Sequence, residues 1–211
     1  MTTGHGLRRV LCVLAALAFQ SAGAATGQEI FGATCVACHG AKALGNPAVG
    51  APALAGQSAA YLERQLNDFR SGLRGANPKD TFGNQMRAAS AVLADARAIA
   101  SVTAYLASLP APVVKPAASA NLRNGNNFYQ GKCGACHGGR AEGIGSMSTP
   151  RLSSLDAAYI MRQFHDFQQG IRGASPQDRY GRQMAMMAGA LPKDSDLADV
   201  IAFIHSLGAA K

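Results

Sequence analysis

The sequence predicts an all-α protein built from two tandem copies of one domain, and three observations support this prediction. The stretch from Cys35 to Leu109 matches the stretch 98 residues later without a gap (133 − 35 = 98). Apolar residues in each copy recur at spacings of three and four, which is the period of an amphipathic helix. Neither copy contains an alternating, β-branched stretch long enough to indicate a strand. The 211-residue chain therefore divides into two small domains.

The N-terminal residues 1–24 have the form of a secretory signal peptide. The segment "MTTGHGLRR" is basic, "VLCVLAALAF" is a short apolar run, and "SAGA" ends in small residues. The apolar run is too short to cross a bilayer, which needs about 20 residues. We therefore expect an exported protein whose mature chain has no transmembrane segment. Cys12 lies within the signal and takes no part in the chemistry below.

The two copies are predicted to span residues 25–110 and 121–211, joined by a linker at 111–120. Of the 75 paired positions from Cys35 to Leu109 (109 − 34 = 75), 31 are identical at the 98-residue offset. A gapless match of this length indicates duplication of one domain. The linker "APVVKPAASA" is rich in Pro and Ala, which favours an extended connection.

Within each copy, the apolar residues predict helices that enclose a thin core. In "SAAYLERQLNDFRSGL" and its partner "DAAYIMRQFHDFQQGI", the apolar side chains form a single helical stripe. Another helical run closes each copy, and a short one precedes each cysteine pair. Phe31 and Tyr129 in those short helices are expected to contact Tyr105 and Phe203. Domains of this size are only marginally stable without an additional stabilising element, so a large apolar prosthetic group is favoured as part of the core.

Each copy carries one Cys-x-x-Cys-His motif: "CVACH" contains Cys35, Cys38 and His39, and "CGACH" contains Cys133, Cys136 and His137. A redox dithiol is disfavoured because a thioredoxin-like site needs strands. A shared zinc site is disfavoured because its ligands would have to come from two complete domains. Covalent attachment of haem c uses every residue of the motif: two thiols bind the vinyl groups, and the histidine ligates the iron. The sequence therefore predicts two covalently bound haem c groups.

The second axial ligand of each haem is predicted from the offset. After removal of the signal, copy one contains a single methionine, Met86, whose partner in copy two is Met184. The other methionines of copy two, Met147, Met161, Met186 and Met187, lack methionine partners and are interpreted as packing residues. His165 and His205 have no histidine partners and are not expected to be ligands. The predicted ligand pairs are His39/Met86 and His137/Met184.

Pro52 and Pro150 each lie 13 residues beyond the motif histidine (52 − 39 = 150 − 137 = 13). We expect them to lie in the haem pockets, where a carbonyl near the proline would orient the imidazole. Arg74 and its partner Arg172 are interpreted equally well as ligands of haem propionates or as solvated loop residues.

The chain resembles the cytochrome c4 family, which consists of periplasmic dihaem proteins made of two class I cytochrome c domains. The resemblance rests on "TCVACHG", "APALAGQSAAYLERQLNDFRSGLRG", the "QM" pair and "AIASVTAYLASL", and it covers essentially the whole mature chain. Copy two departs from the pattern because it lacks the Ala-Gly-Gln that follows Leu54. The resemblance implies His/Met ligation at both haems, a pseudo-twofold between the domains, and propionates near the domain interface.

The leading functional hypothesis is a periplasmic electron carrier that delivers electrons to a terminal respiratory oxidase, as the resemblance implies. Its donor would be a quinol-oxidising complex or a dehydrogenase. The alternative is a dihaem electron-transfer subunit of a dehydrogenase complex, such as a sulfide-oxidising flavocytochrome. An enzyme in its own right is disfavoured, because each copy supplies its own methionine and the mature chain has no spare cysteine.

The charge of the chain argues against nucleic acid as a partner. Removing Arg8 and Arg9 with the signal takes the formal charge from +8 to +6 (8 − 2), and the remaining basic residues are scattered. Nucleic-acid binding usually requires a dense basic stripe. We expect a monomer that contacts redox proteins and associates at most loosely with the membrane.

Overall fold

The computed structural model describes residue 1, residues 25–191 and residues 193–209. The predicted signal peptide, residues 1–24, therefore lies outside the described residues except for Met1. Across the described part of the chain, regular structure is helical, and the remaining pairing is one isolated bridge between Asn46 and Ala51. The predicted all-α class is confirmed. None of the described helices is long and apolar enough to span a membrane.

The first domain is built from a short N-terminal helix, a cysteine-bearing turn and three longer helices. These elements are α1 (Gly27–Ile30), a π-helical turn (Phe31–Cys35), α2 (Val36–His39), a 3₁₀ turn (Pro47–Val49), α3 (Ala59–Ser71), α4 (Thr81–Ser90) and α5 (Ala96–Ser108). The second domain repeats this order. Its elements are α6 (Leu122–Phe128), a π-helical turn (Tyr129–Cys133), α7 (Gly134–His137), a 3₁₀ turn (Gly145–Met147), α8 (Ala157–Gln168), α9 (Arg179–Ala188) and α10 (Asp194–Ala209).

Side-chain caps fix where the long helices begin. Ser58 caps α3 and its partner Asp156 caps α8, each accepting a hydrogen bond from a backbone N–H in the first turn. Asp80 and Asp178 cap α4 and α9 in the same way. A capped first turn satisfies N–H groups that have no partner within the helix. The equivalent helices therefore begin at equivalent positions in the two domains.

In each domain the N-terminal helix crosses the C-terminal helix at a glycine. Gly27 of α1 lies against the backbone of Ser101 in α5, and Gly125 of α6 lies against the backbone of Asp199 in α10. A Cβ atom at either glycine would collide with these backbone atoms. The crossing therefore requires residues without side chains.

The aromatic contacts predicted at these crossings are confirmed. The ring centroids of Phe31 and Tyr105 are 5.8 Å apart, and those of Tyr129 and Phe203 are also 5.8 Å apart. Both distances lie within the range in which tilted aromatic pairs attract each other. These contacts hold the turn that bears the first cysteine of each motif against the C-terminal helix.

The two domains meet through reciprocal contacts that follow the 98-residue offset. Arg64 donates a hydrogen bond to the Ser148 carbonyl oxygen at 3.0 Å, and Arg162 donates one to the Gly50 carbonyl oxygen at 2.7 Å. Both donors and both acceptors are offset partners (162 − 64 = 148 − 50 = 98). The same contact is therefore made in both directions, as expected for domains related by a pseudo-twofold.

Candidate cofactor sites

Each domain encloses one cavity bordered by its Cys-x-x-Cys-His motif. Cavity 1, of about 180 Å³, lies between α3, α4 and α5, and cavity 2, of about 360 Å³, lies between α8, α9 and α10. Apolar side chains from these helices and from the loops before α3 and α8 form most of the walls. Those of cavity 1 include Leu54, Leu62, Phe69, Val102 and Leu106, and those of cavity 2 include Leu152, Ile160, Phe167, Val200 and Ile204.

The π-helical turn and the short helix after it each bring one cysteine to the cavity. The backbone N–H of Val36 donates to the carbonyl of Phe31, five residues earlier, so the turn is wider than an α-helical one just before the second cysteine. Cys35 and Cys38 both line cavity 1, and Cys133 and Cys136 both line cavity 2. Burial raises the pKa of Cys35 to about 11 and the pKa of Cys133 to about 11, so these thiols remain protonated at neutral pH. None of these four cysteines is joined to another in a disulfide.

His39 is held in one tautomer by a backbone carbonyl. Its Nδ1 lies 2.9 Å from the carbonyl oxygen of Pro52. Because a carbonyl only accepts hydrogen bonds, Nδ1 carries the proton and Nε2 keeps its lone pair. Burial lowers the pKa of His39, which further favours the neutral ring. The imidazole therefore offers a neutral nitrogen donor within cavity 1.

His137 makes the corresponding but longer contact in cavity 2. Its Nδ1 lies 3.4 Å from the carbonyl oxygen of Pro150, beyond the usual range for an N–H···O hydrogen bond. Burial also lowers the pKa of His137. The two prolines thus occupy matching positions, but the orienting contact is closer in domain 1.

The methionine of each predicted pair lines the same cavity as its histidine. Met86 lies on α4 and lines cavity 1, and Met184 lies on α9 and lines cavity 2. The buried caps Asp80 and Asp178 accept hydrogen bonds from Gly83 and Gly181 at 2.7 Å. These caps anchor the first turn of the helices that carry the two thioethers.

The remaining methionines do not all lie where packing residues were expected. Met147 and Met187 also line cavity 2, although both are exposed and neither has a methionine partner in domain 1. The 98-residue offset did not indicate that these two methionines border a cavity, because their partners Val49 and Ala89 have no thioether. Both partners line cavity 1. Met161 packs against the core of domain 2, and Met186 is 73% exposed.

His165 and His205 make other contacts. His165 Nε2 lies 2.8 Å from an Asp194 carboxylate oxygen, and His205 Nε2 donates to the Leu155 carbonyl oxygen at 2.9 Å. Neither histidine is among the residues that line the two cavities.

Each cavity is completed by residues from the other domain. Tyr159, Arg162 and Gln163 of domain 2 line cavity 1, while Tyr61 and Arg64 of domain 1 line cavity 2. The guanidinium of Arg162 lies 4.3 Å from the Phe82 ring centroid, and the guanidinium of Arg64 lies 4.7 Å from the Tyr180 ring centroid. Both stacking contacts cross the domain junction and are offset partners. This exchange of lining residues did not emerge from the sequence.

Arg74 and Arg172 lie at the centre of the junction rather than in solvated loops. Arg74 donates to Gln163 at 2.6 Å and to the Tyr159 hydroxyl at 3.0 Å, and it also bonds Gln65. Arg172 donates to Gln163 at 2.6 Å and to Gln65 at 2.7 Å. The interpretation of these arginines as solvated loop residues is therefore wrong, because both guanidiniums are enclosed by the opposing domains. One sequence signal pointed to this polar junction: Gln65 and Gln163, which both bond the arginines, are identical at the 98-residue offset.

The residues present suit a haem in each cavity. The Nε atoms of Arg64, Arg74 and Arg162 are buried and have no hydrogen-bond partner. A buried guanidinium N–H without an acceptor is costly, and carboxylates such as haem propionates would supply the acceptors. Each cavity otherwise offers apolar walls, two thiols, one imidazole and at least one thioether, with one methionine lining cavity 1 and three lining cavity 2. This set matches covalently attached haem c in both polarity and donor chemistry.

Comparisons with known proteins agree with this reading. The sequence model of the family described as Cytochrome c matches residues 24–110 and again residues 122–208. The thiosulfate dehydrogenase electron acceptor of Stutzerimonas stutzeri (strain A1501) is 34% identical, over 93% of this chain and 93% of that protein. Cytochrome c4 of Azotobacter vinelandii is 30% identical, over 90% of this chain and 92% of that protein.

A solved structure extends the similarity to the arrangement of both domains. The crystal structure of reduced recombinant cytochrome c4 from Pseudomonas stutzeri superposes with a TM-score of 0.66 at 26% sequence identity. The match covers 85% of this chain and 95% of that one.

Proposed function

We propose that this chain, which belongs to the cytochrome c family, delivers electrons in the periplasm to a terminal respiratory oxidase. It is a dihaem, cytochrome c4-like electron carrier and not an enzyme. The chain binds two haem c groups covalently, one in each domain. When bound, each haem supplies an iron that alternates between the ferrous and ferric states. The observation that supports a carrier role most directly is that each cavity is lined by its motif histidine and by a methionine at the same offset position on a separate helix, Met86 in cavity 1 and Met184 in cavity 2.

We propose that His39 and Met86 would hold the iron in domain 1, and that His137 and Met184 would hold it in domain 2. The thiols of Cys35, Cys38, Cys133 and Cys136 form the covalent attachments. An imidazole and a thioether that both bind the iron would leave no room for a substrate there, which favours electron transfer over catalysis. A thioether ligand also favours the ferrous state and raises the reduction potential.

The chain's own residues perform three tasks in this proposal. The Pro52 carbonyl fixes the His39 tautomer so that Nε2 keeps its lone pair. The apolar walls exclude water from each cavity, which limits the reorganisation that accompanies a change of charge. The arginines of the junction whose Nε atoms lack partners, Arg64, Arg74 and Arg162, would hold the haem carboxylates, and Arg172 beside them would help to offset their charge.

The proposal is tested by mixing the ferrous holoprotein with membranes from the source organism. Rapid oxidation that an oxidase inhibitor blocks is the expected result. A protein that stays ferrous in the presence of active membranes would contradict delivery to a terminal oxidase.

A second candidate role concerns the electron donor. Two relatives, from Stutzerimonas stutzeri (strain A1501) and Thiomonas intermedia (strain K12), are thiosulfate dehydrogenase electron acceptors at 34% identity. We infer that this chain accepts electrons from a dehydrogenase of the sulfur-compound-oxidising type, as a docked subunit or as its immediate acceptor. Reduction by the source periplasm on addition of thiosulfate or sulfide, with co-purification of a dehydrogenase, is the expected result. Reduction by neither substrate would exclude this role.

A further inference from the structure

The peptide group between Pro150 and Arg151 is held from both domains at once. Its carbonyl oxygen faces Nδ1 of His137, and its N–H donates to the side-chain oxygen of Gln57, in domain 1, at 2.9 Å. We propose that Gln57 is a positioning residue that acts across the domain junction on His137 and so tunes the reduction potential of domain 2. The inference rests on the proposed role of His137 as an iron ligand, and it adds a determinant that lies outside domain 2.

Gln57 binds the backbone of Arg151 through both ends of its side-chain amide. Its Oε1 accepts from the Arg151 N–H at 2.9 Å, and its Nε2 donates to the Arg151 carbonyl oxygen at 2.7 Å. We call these two bonds the glutamine clasp. Nε2 also lies 3.4 Å from the Ser154 hydroxyl, and Nε of Arg151 donates to the Gly56 carbonyl oxygen at 3.2 Å. Gln57 is only 1% exposed, so water does not compete for its amide and the clasp fixes the Arg151 backbone.

The glutamine clasp reaches His137 through a rigid unit. A peptide group is planar, and none of the described peptide bonds is cis, so the Pro150 carbonyl and the Arg151 N–H point in opposite directions. A bond that fixes the N–H therefore also fixes the carbonyl of the same group. Because Gln57 binds the side opposite to His137, it draws the carbonyl oxygen away from the imidazole. The distance of 3.4 Å between that oxygen and Nδ1 agrees with this direction.

Domain 1 contains the same peptide group without a clasp. The offset partner of Gln57 is Leu155, whose hydrocarbon side chain neither donates nor accepts a hydrogen bond (155 − 57 = 98). In domain 1 the Pro52 carbonyl oxygen lies 2.9 Å from Nδ1 of His39. The short contact is therefore found in the domain where the peptide is not clasped, and the long contact in the domain where it is.

Two features within the domains also bear on this peptide group. Gly45 and Gly143 lie against the backbone of the proline and the residue after it in their own domains, so this packing is shared and does not explain the difference. Thr149, whose partner is Ala51, donates to the Cys136 carbonyl oxygen at 2.7 Å. Thr149 is therefore the competing explanation for the longer contact, and the experiment includes it.

The longer contact makes His137 a weaker electron donor. A strong hydrogen bond to the ring N–H increases the basicity of an imidazole ligand, and a more basic ligand stabilises ferric iron. By weakening this bond, the glutamine clasp raises the potential of an iron held by His137. The bond to the Arg151 N–H also polarises the Pro150 carbonyl, but such cooperative strengthening amounts to only about 10–30% per bond. The distance therefore decides the sign of the effect.

The experiment removes the glutamine clasp with Gln57→Leu, which installs the residue that domain 2 carries at the offset position. One control, Thr149→Ala, makes the corresponding exchange within domain 2 and leaves the clasp in place. The other, Arg151→Lys, keeps the charge and the clasped backbone but removes the bond from Nε to the Gly56 carbonyl. Proton NMR of the ferrous, ¹⁵N-labelled holoprotein follows the Nδ1–H signals of both motif histidines and the amide exchange at position 151. Spectroelectrochemical titration gives the two potentials.

In Gln57→Leu we expect the exchange protection of the Arg151 amide to fall about 10-fold, the scale of one net hydrogen bond. The His137 Nδ1–H signal should move downfield and the potential of domain 2 should fall, while both controls keep the wild-type values. Gln57 also lines cavity 1, so a role confined to that wall would change the signals of domain 1 and leave those of His137 in place. That result, an upfield shift of the His137 signal, or the same downfield shift in Thr149→Ala would overturn the proposal.

The wild-type protein provides a test that does not depend on how well the variant folds. Its His39 Nδ1–H signal should lie downfield of the His137 signal, because the shorter hydrogen bond deshields the proton more. The Arg151 amide should exchange more slowly than that of its partner Ala53, which no glutamine clasps. The reverse order in either pair would overturn the proposal.

The same spectra separate failure of this inference from failure of the ligand assignment. The ring current of a bound haem shifts the ring protons of an axial imidazole strongly. If the His137 ring protons show this shift and Gln57→Leu changes nothing in domain 2, the role of Gln57 is wrong and the ligand assignment stands. If the ring protons lack the shift in the wild-type protein, the ligand assignment of domain 2 fails and the inference fails with it.

Discussion

At the scale of single residues, the orientation of His39 depends on one hydrogen bond. The Pro52 carbonyl lies 2.9 Å from Nδ1, so the nitrogen left to bind a metal is Nε2. In domain 2 the corresponding distance is 3.4 Å. A stronger hydrogen bond to the ring N–H makes the imidazole a more basic ligand. An iron bound in each domain would therefore meet histidines of different donor strength, even though the motifs are alike.

A second single-residue effect concerns the cap that precedes Met86. Replacing Asp80 with Ala removes the hydrogen bond to Gly83 and should lower the free energy of unfolding by about 1 kcal/mol. Because α4 carries Met86, the variant should also weaken the methionine–iron signal of domain 1. Denaturant unfolding and the absorption spectrum of the ferric protein measure the two effects.

The control for this prediction is Asp95→Ala, which removes the equivalent cap from α5. Asp95 is exposed and does not line either cavity, so this variant should lose stability while keeping its methionine–iron signal. An unchanged signal in Asp80→Ala would show that the cap does not position Met86.

The sequence predicted some site residues and missed others for a physical reason. The Cys-x-x-Cys-His motifs are local, and the offset selected Met184 among several methionines because both copies use the same helix. Arg162 and Tyr159 could not be assigned to cavity 1, since the offset relates equivalent positions and carries no information about contacts between copies. Met187 was missed because an exposed thioether has the same sequence signature whether or not it borders a cavity.

At the scale of secondary-structure elements, the two helix crossings depend on glycines whose role is steric. Gly27 meets the backbone of Ser101, and Gly125 meets the backbone of Asp199. Backbone atoms within a helix cannot rotate away as a flexible side chain can. The close approach of α1 to α5 and of α6 to α10 therefore excludes any side chain at these two positions.

Replacing Gly27 with Ala should destabilise the protein by about 1–3 kcal/mol, because the added methyl group forces α1 away from α5. Gly32→Ala is the matched control: it adds the same methyl group five residues later, where nothing lies within 4 Å. The control should be neutral or stabilising by up to about 1 kcal/mol, since alanine favours helical backbone. Thermal unfolding compares the two, and equal midpoints would contradict the steric argument.

The helices themselves were predictable, whereas the π-helical turns were not. The stripes of α3 and α8 are long enough to show the helical period, and their caps mark where they begin. The turn at Phe31–Cys35 spans five residues. Over so short a stretch, a π-helical turn and an α-helical turn place apolar residues at indistinguishable spacings. The sequence therefore indicated a helix and gave no sign that it widens before Cys38.

At the scale of the whole molecule, neither domain forms a complete site alone. Cavity 1 is closed by domain 2, cavity 2 is closed by domain 1, and the glutamines and arginines of the centre bond across the junction. Buried polar networks of this kind are favourable only when every member finds a partner. Because three guanidinium Nε atoms lack partners, we expect cofactor attachment to strengthen the junction.

This reciprocity predicts an effect that crosses the domain boundary. Replacing Arg162 with Gln should lower the reduction potential of the haem in domain 1, although Arg162 belongs to domain 2. Removal of a positive charge beside cavity 1 stabilises the ferric state of that site. Arg64→Gln should do the same to the haem in domain 2. Spectroelectrochemical titration resolves the two potentials.

Arg123→Gln provides the charge-matched control, because Arg123 is an exposed residue of domain 2 that lines neither cavity. It should leave both potentials nearly unchanged. If Arg162→Gln shifted only the potential of domain 2, the exchange of lining residues between domains would be contradicted.

The central claim is that each domain holds one iron between a histidine and a methionine, with Met86 and Met184 as the sulfur ligands. The most direct measurement is the proton spectrum of the ferrous holoprotein, in which the ring current shifts the methyl group of a ligating methionine far upfield. We predict two such signals in the wild-type protein and in Met187→Ala, one in Met86→Ala, one in Met184→Ala, and none in the double variant. Loss of a signal in Met187→Ala, with both signals retained in Met184→Ala, would contradict the account.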